Sequence, residues 1–108
     1  MYTGSCTQKL SRGRRNMLPL QKMKVVDLTQ FLAGPYCSMV LADLGADVIK
    51  VEKFPEGDDS RRLGPFFNGE GLCFAMPNRN KRSIALDLKS EKGREILSDF
   101  TITPPQFV

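Results

Sequence analysis

The chain has 108 residues, 41% of them hydrophobic, which limits it to one small domain with a thin core. Its formal charge of +4 is unevenly spread: six of sixteen basic residues fall in the first 24 positions with no acid among them, leaving ten basic against twelve acidic residues beyond. A basic face for nucleic acid therefore has no support, and no apolar run is long enough to cross a bilayer, so a soluble chain with neither partner is expected.

In chain order, Met1 to Asn16 carries Arg, Ser and Thr without acid. It reads as a disordered basic leader, compatible with a mitochondrial transit peptide, so mitochondrion or cytoplasm is the expected compartment. Residues 17–100 read as the organised part, and 101–108, containing Pro104-Pro105, as a divergent tail.

The stretch Lys24 to Lys53 reads as strand, tight turn, helix and strand. Val25, Val26 and Leu28 suit a buried strand, and Ala33-Gly34-Pro35 supplies the break before a helix. Pro35 fits the first helical position and Gly45 a left-handed C-terminal stop. Between them Cys37, Leu41 and Leu44, with Val40 beside them, are expected to form the buried face, and Val48, Ile49 and Val51 rebuild a strand. A βαβ unit follows, whose ligand edge would lie at the carboxyl ends of its strands.

Phe54 to Asn80 is punctuated by glycine and proline and reads as a long irregular segment that packs through its aromatics, with Asp58-Asp59 in a solvated turn. The run Asn78-Arg79-Asn80-Lys81-Arg82-Ser83 is either solvated surface or a phosphate-binding patch. It leads into a third strand, Ile84 to Leu88. Ser90 is placed to cap a helix with Ile96, Leu97 and Phe100 on its apolar face, in which Gly93 costs about 1 kcal/mol against alanine.

Chemistry is sparse. Cys6, Cys37 and Cys73 are odd in number and widely spaced, which fits a reducing compartment and supports neither a disulfide framework nor a metal site. The absence of histidine removes triads and most zinc chemistry, and no Walker-type GxxxxGK[ST] occurs. The turn has Gly34 in place of a three-glycine dinucleotide fingerprint, and Lys53 directly after Glu52 suits a phosphorylated ribose better than a free one. Asp27, Asp43 and Asp87 are assigned structural roles. The residues alone define an α/β segment with a candidate phosphate-binding edge.

The run VVDLTQFLAGPYCSMVLADLGADVIKVEK, followed by GDDSRRLGP and NRNKRSIALDLKSEKG, resembles the N-terminus of the class III CoA-transferases over about Leu18 to Phe100. Formyl-CoA, carnitine and succinate-hydroxymethylglutarate CoA-transferases belong to that family. The resemblance implies a Rossmann-like parallel sheet (βαβ plus one strand and helix) that binds coenzyme A. It also implies transfer of CoA between an acyl-CoA and a small carboxylic acid through an aspartyl-CoA thioester, and an interlocked homodimer. Carried over motif by motif, the CoA contacts are Leu32, Lys53, Leu86, Asp87, Leu88 and Lys89, with Lys53 on the 3′-phosphate.

TITPPQFV replaces the family's continuation, and the family's catalytic aspartate lies beyond residue 108, so no catalytic residue is assigned. A truncated N-terminal fragment is the expectation: inactive alone, with three strands at most and no stable monomer. The rival readings are a fragment of an acyl-CoA racemase of the same family and a non-catalytic CoA-binding or dimer-interfering fragment. The GDDSRRLGPFF segment favours the transferase branch.

Overall fold

The computed structural model describes residues 18–100 and the backbone of residues 101, 106 and 107. The expected leader, with its transit-peptide reading, lies outside the described residues, as does most of the 101–108 tail.

Strand β1 (Lys24–Asp27), helix α1 (Ala33–Asp43) and strand β2 (Asp47–Lys53) form the expected βαβ unit. A hairpin follows, β3 (Phe66–Phe67) and β4 (Glu70–Gly71), then a single helical turn α2 (Leu72–Ala75), strand β5 (Arg82–Leu86), helix α3 (Glu91–Thr101) and a short strand β6 (Gln106–Phe107). The main sheet runs β5-β2-β1-β6, all parallel. β6 therefore adds a fourth strand to the three expected, along the edge of β1 that faces away from β2.

Alternation along the strands divides the core. Val25 and Val48 pack under α1 with Ala42 and Ala46, joined by Leu20, Met23 and Leu41. On the opposite face Val26, Val51 and Leu86 meet Ile84, Ile96, Leu97 and Phe100, so α3 covers that side. The α1 side changes character along the sheet: Asp27, Lys50 and Glu52 share parity with Val25 and Val48, and all three are buried. Among the described residues, eight buried hydrophobic ones stand beside seven buried polar or charged ones, so about half of this core depends on satisfied polar groups.

Three local expectations change. Pro35 is the third residue of α1, still within the turn whose N–H groups lack helical partners, where its missing donor costs nothing. The helix buries Pro35, Ser38, Met39 and Ala42, while Cys37, Val40 and Leu44 are exposed and Leu41 is half-buried. The reason is a polar anchor: Ser38 Oγ donates to the buried Asp27 carboxylate at 2.5 Å, which rotates the small residues inward. The third strand ends at Leu86 rather than Leu88, because the Asp87 side chain accepts from Lys89 N–H at 3.0 Å and turns the chain.

Other punctuation agrees with the sequence. Gly45 has φ +104° and closes α1, with its N–H on Ala42 O at 2.9 Å. Ser90 Oγ accepts from Gly93 N–H at 3.0 Å, capping α3. A Cβ at Gly93 would collide with the Asp87 carbonyl oxygen, so glycine is required there by the close approach of helix and turn.

Candidate ligand-binding edge of the sheet

In a parallel sheet, ligands sit outside the carboxyl ends of the strands, at the point where the strand order reverses. Here β1 is followed by β2 on one side and, after the chain has moved out to β5, by β6 on the other. The reversal falls at the carboxyl end of β1, where the turn Leu28 to Leu32 leads into α1.

All six residues expected to contact CoA lie at this edge. Leu32 is the N-cap of α1, strongly exposed, and the first turn of that helix receives no side-chain cap. Lys53 ends β2 and pairs in register with Leu86, the last residue of β5. Asp87, Leu88 and Lys89 follow in the exposed turn.

Their chemistry differs from residue to residue. The side chain of Leu86 is buried in the α3-side core, and its carbonyl accepts from Phe54 N–H at 3.2 Å. The carboxylate of Asp87 serves its own turn, and the carbonyls of Leu88 and Lys89 both accept from Arg94, at 3.2 and 2.7 Å. Two cations of the group, Lys53 and Lys89, are exposed, and Lys53 pairs with Asp59 at 2.5 Å.

The segment Phe54 to Asn80 is more ordered than its punctuation implied. A 3-10 turn spans Asp59–Arg62, and Asn68 and Gly69, both at positive φ, make the hairpin turn that an Asn-Gly dipeptide favours. The guanidinium of Arg61 lies 3.6 Å over the Phe74 ring, so one aromatic does pack as expected. Arg61 also donates from Nε and Nη2 to the two oxygens of Glu52, each at 2.7 Å.

Glu52 receives further bonds from Ser83 Oγ and from Asp58 N–H at 2.8 Å. Burial alone would push its carboxyl up; the Arg61 fork, Ser83 and the Asp58 amide outweigh burial and bring it down to about 2. A carboxylate bound this fully is not free to take a ribose hydroxyl.

Asp58 is not in a solvated turn. It is buried, caps the 3-10 turn by accepting from Ser60 N–H and Oγ at 2.9 and 2.7 Å, and faces the Lys50 ammonium at 3.0 Å. Asp58 Oδ2 accepts no hydrogen bond within the described residues, so its approach to Lys50 is an ion pair, while the ammonium also donates to Thr29 O at 2.9 Å.

The basic run before β5 is neither plain surface nor a free phosphate patch. Arg79 pairs with Asp43 at 2.7 Å and Arg82 with Asp47 at 2.6 Å, both at the surface. Lys81 is buried and donates to Asp27, Pro35 O and Asn78 Oδ1 at 2.8–2.9 Å. Desolvation raises the Asp27 carboxyl, yet Ser38, Thr29 and Lys81 together hold it below its ordinary value. Asp27 and Asp43 are thus structural, as their positions in the sequence indicated.

Beside this network, a cavity of about 330 Å³ opens between the sheet and the loop, lined among others by Lys50, Arg61, Phe74, Asn78, Lys81 and Ser83. Each of its four cations is already paired. Sequence reading missed Lys50, Asp58 and Lys81 as buried groups. The signal was present in DVIKVEK, where Lys50 and Glu52 share the face of Val48 and so require partners of opposite sign.

The fold is a parallel α/β sheet with an uncapped helix start and exposed lysines at its carboxyl edge, the edge at which sheets of this kind take ligands. Comparison with known proteins narrows this. The family model for CoA-transferase family III matches residues 20–101, and the chain belongs to that family. It is 43% identical to human succinyl-CoA:glutarate CoA-transferase over 106 residues, covering 97% of this chain and 24% of that protein. It is 51% identical to succinyl-CoA:mesaconate CoA-transferase of Haloarcula hispanica over 81 residues, covering 70% of this chain and 20% of that one. A solved CAIB/BAIF family protein from Brucella suis superposes with a TM-score of 0.68 at 50% identity, over 73% of this chain and 22% of its own. The chain therefore spans about a quarter or less of the relatives it matches.

Proposed function

We propose that this chain supplies the CoA-binding edge of a CoA-transferase that moves CoA between carboxylic acids. The supporting observation is the convergence of Leu32 at the uncapped start of α1, Lys53 at the end of β2 and the Leu86–Lys89 turn on one sheet edge, in a chain of this family. Lys53 exchanges Asp59 for the 3′-phosphate, and the Leu32–Gly34 backbone meets the pantetheine or diphosphate portion. The human relative's name, and that of the Haloarcula protein, support succinyl-CoA as a donor and a dicarboxylic acid as acceptor.

In the proposed reaction an aspartate carboxylate, outside this chain, attacks the thioester carbonyl to give a mixed anhydride and CoA thiolate. The thiolate then attacks the aspartyl carbonyl, releasing the donor acid as its carboxylate and leaving the aspartyl-CoA thioester. The acceptor acid reverses both steps.

The transferase names of the relatives favour this reading over the racemase branch. An interlocked homodimer is part of the proposal, supported by the exposed Tyr36, Phe66, Phe67 and Met76, which this chain does not bury by itself. Mitochondrial import belongs to the proposal as well, carried by the acid-free first sixteen residues and tested by a reporter fusion.

The test is an amide-shift titration of the chain with CoA. Perturbations are expected at Leu32–Gly34, Lys53–Phe54 and Leu86–Lys89. Shifts confined to the Phe74–Ser83 cavity, or no binding, would remove the proposal.

A further inference from the structure

The turn Thr29 to Pro35 is held by every ion pair buried beneath it. Asp27 Oδ1 accepts from Thr29 N–H and Oγ1 at 2.8 and 2.5 Å, and Lys81 donates to Pro35 O at 2.8 Å. Lys50 donates to Thr29 O at 2.9 Å, and Asp58 Oδ1 lies 3.4 Å from Phe31 N, a long contact aimed at the middle of the turn. Both side chains of the Lys50–Asp58 pair are 1% exposed.

We propose that Lys50 and Asp58 are positioning residues: a buried clamp that fixes the Phe31–Leu32 backbone in the form that receives the ligand. This rests on the CoA-binding reading above. Two observations carry it beyond a stabilising role. Phe31 has φ +69°, a left-handed conformation that a residue with a side chain holds only when its surroundings over-determine it. The clamp also joins the two halves of the edge, because Asp58 begins the 3-10 turn whose next residue, Asp59, holds Lys53. A buried ion pair gains little over an apolar pair of equal volume, so its value here lies in the geometry that it imposes.

Hydrogen exchange on the full chain tests the clamp, with Asp58→Asn as the principal variant and Ser60→Ala as a milder one that loosens the carboxylate without breaking the charge pair. The expected result is exchange at Phe31–Gly34 faster by about tenfold, with β2 amides unchanged, from loss of a charge-assisted bond. CoA and dephospho-CoA should weaken by the same factor, since the turn does not read the 3′-phosphate. A uniform rise in exchange across β1, β2 and α1 in both variants would overturn the clamp and leave a structural pair, as would a loosened turn with unchanged CoA affinity. If the unsubstituted chain binds no CoA, the CoA reading fails, while the exchange pattern still decides whether the clamp exists.

Discussion

Arg61 grips Glu52 as a two-pronged fork, Nε on Oε1 and Nη2 on Oε2, each at 2.7 Å, across the boundary between β2 and the loop that follows it. The carboxylate is 4% exposed and held down to about 2 from 4.5. Its stabilisation is therefore complete above pH 4.5 and is lost as pH falls toward 2, because protonation weakens the fork. Urea denaturation at a series of pH values should show roughly 3 kcal/mol lost over that window from this group. Asp27 and Asp58, both held below their ordinary values, steepen the loss in the same direction. Glu52→Gln should flatten the profile, and an unchanged acid slope in that variant would show that the fork is not the source.

Gly93 gives a test of opposite sign to helix propensity. Propensity alone predicts that Gly93→Ala gains about 1 kcal/mol. The collision of its Cβ with the Asp87 carbonyl predicts instead a loss of about 1–3 kcal/mol, as for overpacking in a core. Thermal unfolding decides between them.

The basic run before β5 separates buried from surface ion pairs within four residues. Lys81→Met leaves Asp27 charged and buried, and should cost about 3–5 kcal/mol. Arg82→Ala breaks a pair open to solvent and should cost less than about 1 kcal/mol. Equal losses in denaturant midpoint would contradict the assignment of Lys81 to the turn beneath α1.

The βαβ unit was legible because its signals are local: a valine pair, an Ala-Gly-Pro break, a glycine stop and a second apolar run. The edge residues were legible because the motifs fix them to strand ends, and β2–β5 register does bring Lys53 beside Leu86. The buried face of α1 was not legible from apolar spacing. Ser38 faces inward for a partner eleven residues away, and periodicity counts a serine as polar. Lys50 with Asp58 and Lys81 with Asp27 were hidden for the same reason, since each partner lies beyond the reach of helical or strand spacing. The hairpin at Asn68-Gly69 carried a readable signal that the surrounding glycines and prolines masked.

Calorimetric titration of the chain and its Lys53→Ala variant with CoA and with dephospho-CoA decides whether this sheet edge binds CoA with Lys53 on the 3′-phosphate. A charge-assisted phosphate contact is worth about 1.5–3 kcal/mol, so the variant should lose about ten- to a hundredfold in CoA affinity while dephospho-CoA changes little. Equal weakening of both ligands, or none, would contradict it.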